Sequence, residues 1–242
     1  MCRRFGVLES KAEAMWIDLK MRYSEPHRHY HNFDHLGKML AWLDRVSPGN
    51  DVIELAIWYH DCIYEPLEKD NEAQSARHFR EQLGSFLDDA IVDNVERLVM
   101  ATDPRLPRSG EADEDLLVDI DLSILGSAPV EYENYRQAVR REYAMVSDED
   151  FRLGRKAVLE GLLAQQLYVT ESFRSLQTQA EENISKELFD IAEEDGAIPG
   201  INLTGEELEQ FKHWLENSPE ISKRDRADQL ALFRDARRAG EV

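Results

Sequence analysis

The chain has 242 residues, 42% of them hydrophobic, with 49 acidic against 29 basic side chains and a formal net charge of -20. It is long enough for one sizeable core, alone or with an appendage, and its acidity argues against broad nucleic-acid binding or attachment to an anionic membrane, both of which need a basic face. Cys2 and Cys62 are the only cysteines, no apolar run reaches membrane-spanning length, and the opening MCRRFGVLESKAEAMW lacks the apolar region of a signal peptide, so a reducing cytoplasm is the expected setting.

Apolar periodicity predicts helices over 8–23, 33–46, 51–64, 69–83, 86–101, 113–125, 129–146, 148–168 and 172–193, with weaker ones over 205–217 and 223–239. The eight prolines fall between these segments or at their edges. Asn32 and Asn50 are expected N-caps, Ser127 precedes a first-turn Pro129, and Thr204 with Glu207 fits a capping box. No segment alternates as a strand would, so the fold class is all-α. Gly196, Pro199, Gly200 and Gly205 mark a linker, which divides the chain into a main domain over 1–193 and a linker with a small helical appendage over 194–242. The internal connection from Thr102 to Ala112, with Arg105 and Arg108, is long enough to carry function.

Three places set metal-ligand side chains among apolar ones. His60-Asp61 lies in VIELAIWYHDCIY, which is apolar almost all round, and buried charge there has to be paired or bound to metal. As helical neighbours about 100° apart, the two side chains suit an ion lying between their directions. Asp119 and Asp121 are about 200° apart on a helix, so one at most faces a common site. Leu117, Val118, Ile124 and Leu125 surround Asp121 at helical spacing, whereas Asp119 has Asp115 and Ser123, so Asp121 is expected inward and Asp119 toward water or the rim. If Asn32 is the cap, His35 lies in the first turn above Met39 and Trp42, while His31 lies just outside. His35 is therefore the expected ligand, and His31 a supporting or substrate contact. Two imidazoles and two carboxylates suit one divalent ion with open positions for water, and Mn, Fe, Co, Ni, Zn and Mg all tolerate such a set.

His35, His60-Asp61 and Asp121 resemble the H…HD…D signature of the HD-domain superfamily of metal-dependent phosphohydrolases. Asp121-Leu122-Ser123 also looks like the last metal-aspartate motif of cyclic-nucleotide phosphodiesterases. More closely, the chain resembles a bacterial group of predicted metal-dependent HD phosphohydrolases. That likeness runs through Arg28-His29-Tyr30-His31-Asn32, Trp58-Tyr59-His60-Asp61-Cys62-Ile63-Tyr64, Asp70-Asn71-Glu72 with Ser75-Ala76, and Asp119 to Gly126. It continues through Tyr132, Tyr135, Arg140, Glu142-Tyr143, Gly154-Arg155 and Tyr168, over roughly residues 8 to 190. It implies an HD-domain helical bundle with a divalent metal at its centre and phosphoester hydrolysis as the activity. Two-metal members carry further histidines, and none occurs here between His78 and His213, so one ion is expected. The tail from about 195 matches nothing in the group.

On that resemblance, His35, His60, Asp61 and Asp121 hold the metal. Asp61 or Glu72 orients the attacking water, and His31 donates to the leaving oxygen. Arg28, His31, Lys69, Arg77 and Arg155 are candidates to bind a small anionic phosphoester, a nucleotide among the options. Two other readings stay open, a ligand-sensing module without catalysis and an iron oxygenase of the same fold. Homo-oligomerisation is also left open.

Overall fold

A computed structural model of the chain describes residues 4–194 and, beyond them, 210, 211, 213, 214, 217, 218, 232, 233, 236 and 237. Residues 4–194 form nine α-helices and no strand: α1 Glu9–Arg22, α2 Phe33–Val46, α3 Asp51–Tyr59, α4 Asn71–Leu83, α5 Asp89–Ala101, α6 Ala112–Asp121, α7 Pro129–Glu142, α8 Asp148–Leu163 and α9 Gln177–Glu194. Short 3-10 turns at Leu122–Gly126 and Glu171–Leu176 precede α7 and α9. None of the described helices is long and apolar enough to cross a membrane.

The chain separates into two compact units, Met1–Asn183 and Ile184–Val242. The division falls inside α9 rather than at the expected 193/194. In the second unit, Phe211, Trp214 and Phe233 form an aromatic cluster with ring centroids 4.9 to 6.3 Å apart. Beyond α9, the described helical residues fall within the expected helices 205–217 and 223–239. The Gly/Pro linker and the Thr204–Glu207 capping box lie outside the described residues.

The first unit is built around α3, which packs against α2, α4, α5 and α6. Asn50 starts it by accepting from the Ile53 N–H at 3.1 Å. Ile53, Leu55, Ala56, Ile57 and Tyr59 are at most 1% exposed, as an all-round apolar sequence requires. Full burial of each of the larger aliphatic side chains stabilises by about 1.5–3 kcal/mol. The amphipathic α2 is capped by Asn32, whose side chain accepts from Asp34 N–H at 2.9 Å, and it buries Leu36, Met39 and Leu43 along with His35. Its contacts with both α3 and α6 bring together the three segments that carry the candidate ligands.

α3 stops at Tyr59 instead of running to residue 64, so His60 is its C-cap and Asp61 lies in the following turn. The cause is tertiary. The Arg28 guanidinium donates to the carbonyls of Asp61 (2.6 Å) and Cys62 (3.1 Å), and the Ser75 hydroxyl accepts from Ile63 N–H and donates to Ile63 C=O. Those backbone groups are satisfied without further helical turns. The expected helix 113–125 likewise ends at Asp121. The next turn is held by Tyr168, whose hydroxyl accepts from Gly126 N–H and donates to Leu122 C=O, and by Asn183, which donates to the carbonyls of Leu125 and Ser127.

Candidate metal centre

His35 stands in the first turn of α2, His60 at the end of α3 and Asp121 at the end of α6. One ligand atom from each lies within 4.8 Å of the other two. His35 Nε2 is 3.3 Å from His60 Nε2 and 3.1 Å from Asp121 Oδ1. His60 Nε2 is 3.8 Å from Asp121 Oδ1 and 3.0 Å from Asp61 Oδ2. Asp61 thus joins the group through His60. The Nδ1 of His60 bonds the carbonyl of Ile57 at 2.9 Å, which fixes the ring and turns Nε2 toward the carboxylates.

The electrostatics are those of a site short of positive charge. Burial opposes charging His60, but Asp61 and Asp121 outweigh it and raise its pKa to about 9. Burial holds His35 below its ordinary value, against the pull of Asp121. Burial would raise Asp61 and Asp121, yet the neighbouring histidines, His60 for Asp61 and His35 for Asp121, hold both carboxyls below the usual range. Two carboxylates kept ionised beside two buried imidazoles, one of them resisting protonation, are a donor set that fits a divalent cation.

His31 sits beside this cluster. Its ring lies 4.2 Å from that of Tyr64 and 5.9 Å from that of His35, centre to centre. Its Nδ1 is 2.6 Å from Glu142 Oε2, which also accepts from the Tyr64 hydroxyl at 3.0 Å. Glu142 Oε1 accepts the consecutive backbone N–H groups of His29, Tyr30 and His31 at 2.6 to 2.9 Å. Burial opposes the charge on each partner, but the contact raises the His31 pKa and holds Glu142 down at about 2. Sequence reasoning missed this role for Glu142. The residue belongs to the family-like motif, but no spacing rule links it to a loop more than a hundred positions upstream.

Other expected site residues are placed differently. Arg28, expected to meet substrate, is buried, with its guanidinium bonded to Glu25 and to the carbonyls of His31, Asp61 and Cys62. It is a cation at the C-terminal end of α3, where the helix dipole favours one. Arg155 is buried on α8 and donates to the Tyr135 hydroxyl at 3.1 Å; the Tyr135 ring meets Tyr30, and Tyr30 meets His35. Lys69 and Arg77 are exposed and do not line the cavities of about 320, 580 and 260 Å³ that His35 or Asp121 borders. Glu72 opens α4, with Arg105 at 3.7 Å; burial, together with the Asp103 and Asp61 carboxylates, raises its pKa.

Asp119 corrects the expectation of an outward side chain. It is fully buried and accepts from Arg108 (2.6 Å), from Thr170 N–H (2.8 Å) and from the Thr170 hydroxyl (2.6 Å). Its partners come from the loop before α6 and the loop after α8, which helical periodicity does not register. Asp119 and Asp121 thus serve opposite sides of α6, one joining loops and the other facing the histidines.

A cavity of about 320 Å³ borders Asp121 on the side of the 102–111 loop, with Met100, Leu106, Val118 and Leu162 among its walls. Another of about 260 Å³ borders both His35 and Asp121. No family model matches the chain, and comparison with curated proteins and with solved structures finds no match.

Proposed function

We propose that the chain is a metal-dependent phosphohydrolase acting on a small phosphoester. The observation that carries this reading is the convergence of His35 Nε2, His60 Nε2 and Asp121 Oδ1, with Asp61 beside them and with Asp121 bordering two cavities. The resemblance to the HD phosphohydrolases supplies the reaction class.

His35, His60, Asp61 and Asp121 would hold one divalent ion, which when bound supplies Lewis-acid polarisation of a phosphoryl oxygen and a water of lowered pKa. The protein's own groups supply the rest. Glu142 fixes the His31 ring through Nδ1 and leaves Nε2 to deliver a proton to the leaving oxygen. Glu72, its carboxyl raised by burial and by its carboxylate neighbours, is suited to take a proton from the attacking water. Arg28 acts indirectly, by holding the backbone of the Asp61 turn.

The test measures metal content of wild type, His60→Ala and Asp121→Ala, and turnover of nucleotides, sugar phosphates and aryl phosphates by wild type and Asp61→Ala with Mn, Fe, Co, Ni, Zn or Mg. Stoichiometric metal in wild type only, with turnover lost in Asp61→Ala, is expected. Equal metal in all three proteins rejects the site. Bound metal without hydrolysis of any ester gives the lead to a sensing module, and oxygen consumption with bound iron to an oxygenase.

A further inference from the structure

The 260 Å³ cavity is lined by His35 and Asp121 and, further along, by Lys38, Trp42, Arg45 and Ser127. His35, Lys38, Trp42 and Arg45 follow one another along a single face of α2 at helical spacing. The rise of about 1.5 Å per residue separates the Cα atoms of His35 and Arg45 by roughly 15 Å. Helical side chains lean toward the helix N-terminus, so Lys38 and Arg45 reach back toward the ligand end.

The Arg45 guanidinium lies over the Trp42 ring, 4.5 Å from its centroid, and Trp42 is seated on Phe173 at 4.8 Å. Lys38 is bonded to Glu131. Arg45 has no carboxylate partner among the described residues, although the chain carries a net charge of -20. By contrast, Arg28 and Arg108 are bonded to carbonyls and carboxylates on several sides. The Ser127 hydroxyl is buried without a hydrogen-bond partner. A stacked guanidinium with open donors presents the planar fork that binds phosphate through two parallel hydrogen bonds, and the stacking limits the rotamer freedom lost on binding.

We infer that the Arg45 end of this cavity is an anion subsite for a second phosphate group, apart from the end at His35 and Asp121, so that the substrate class is a phosphoester bearing two separated phosphates. This rests on the phosphohydrolase reading for the first phosphate only. Arg45 is the residue that determines the preference, with the Ser127 hydroxyl as a further donor; Lys38 is already paired with Glu131, which lines the same cavity.

Calorimetric titration of the full chain, metal-free and loaded with Mn, tests this directly. The ligands are fructose 1,6-bisphosphate and fructose 6-phosphate, and the proteins are wild type, Arg45→Gln and, as a control for loss of an exposed cation elsewhere, Arg174→Gln. Wild type and the control are expected to bind the bisphosphate at least about tenfold more tightly than the monophosphate, the scale of a charge-assisted hydrogen-bonded pair. Arg45→Gln is expected to lose most of that ratio. An unchanged ratio in Arg45→Gln, or no preference in wild type, overturns the subsite. If the ratio behaves as expected but no phosphoester is hydrolysed, the subsite stands and the phosphohydrolase reading fails. If monophosphates are hydrolysed without any preference for bisphosphates, the subsite falls and the hydrolase reading stands.

Discussion

Glu142 and His31 meet through a 2.6 Å contact between Oε2 and Nδ1, and the same carboxylate accepts three consecutive backbone N–H groups, including that of His31. One buried side chain from the end of α7 therefore sets both the path of the loop entering α2 and the orientation of the imidazole beside the candidate ligands. Glu142→Gln keeps the shape but puts an amide where the second oxygen was. Turnover is expected to fall by about 10²-fold, the lower range for a general acid or base that loses its orientation. Metal content should stay at the wild-type level, as measured on the same samples.

The same carboxylate contributes to acid stability, and its sign is fixed by its depressed pKa. Glu142 titrates at about 2 against an ordinary 4.5, so its contribution is complete above about pH 4.5 and is lost as pH falls toward 2. The total is on the order of 3 kcal/mol. Urea midpoints of wild type should drop across that window, and those of Glu142→Gln should drop less.

Asp119→Ala removes the acceptor of Arg108 and Thr170 from a fully buried position. Leaving these donors and the guanidinium without a partner should cost about 3 kcal/mol in chemical denaturation. The folded variant should retain its metal, since Asp119 faces away from the histidines.

Arg28→Met leaves the carbonyls of His31, Asp61 and Cys62 without their shared donor. A residue that only bound substrate would change KM and nothing else. Here the expected result is a loss of at least about 2 kcal/mol in stability together with weaker metal retention, because the turn carrying Asp61 loses its anchor. Unchanged stability with a raised KM would restore the substrate-binding role.

Chelation should lower the melting temperature of the wild-type protein, and added divalent ion should restore it. An ion present at a hundred times its dissociation constant adds about 2.7 kcal/mol. His60→Ala should show neither effect in the same thermal scans.

Gly126 lies where an added Cβ would sit 2.6 Å from Leu176 Cβ and 2.8 Å from the Leu176 carbonyl oxygen. Gly126→Ala must push the two 3-10 turns apart and strain the bond to the Tyr168 hydroxyl. A loss of about 1–3 kcal/mol in denaturant unfolding is expected.

The helices were legible in the sequence because burial along α2 and α5 repeats with helical period, because α3 is apolar almost all round, and because Asn32 and Asn50 mark starts that depend only on neighbouring residues. The same periodicity set His35 and Asp121 on buried faces, where they stand within 4.8 Å of each other and of His60. It misplaced Asp119 and ran α3 on to residue 64, since in both cases the deciding partners, Arg108, Thr170, Arg28 and Ser75, come from distant segments. The hold of Glu142 on His31 and the stacking of Arg45 over Trp42 beside a cavity bordered by His35 and Asp121 were likewise set by tertiary structure. Local sequence determines which groups must be buried and which backbone groups can pair nearby. Which distant donor satisfies a buried carboxylate, and which cation is left open to a ligand, depends on how the helices pack, because hydrogen bonds and ion pairs act over a few ångströms of space and not along the chain.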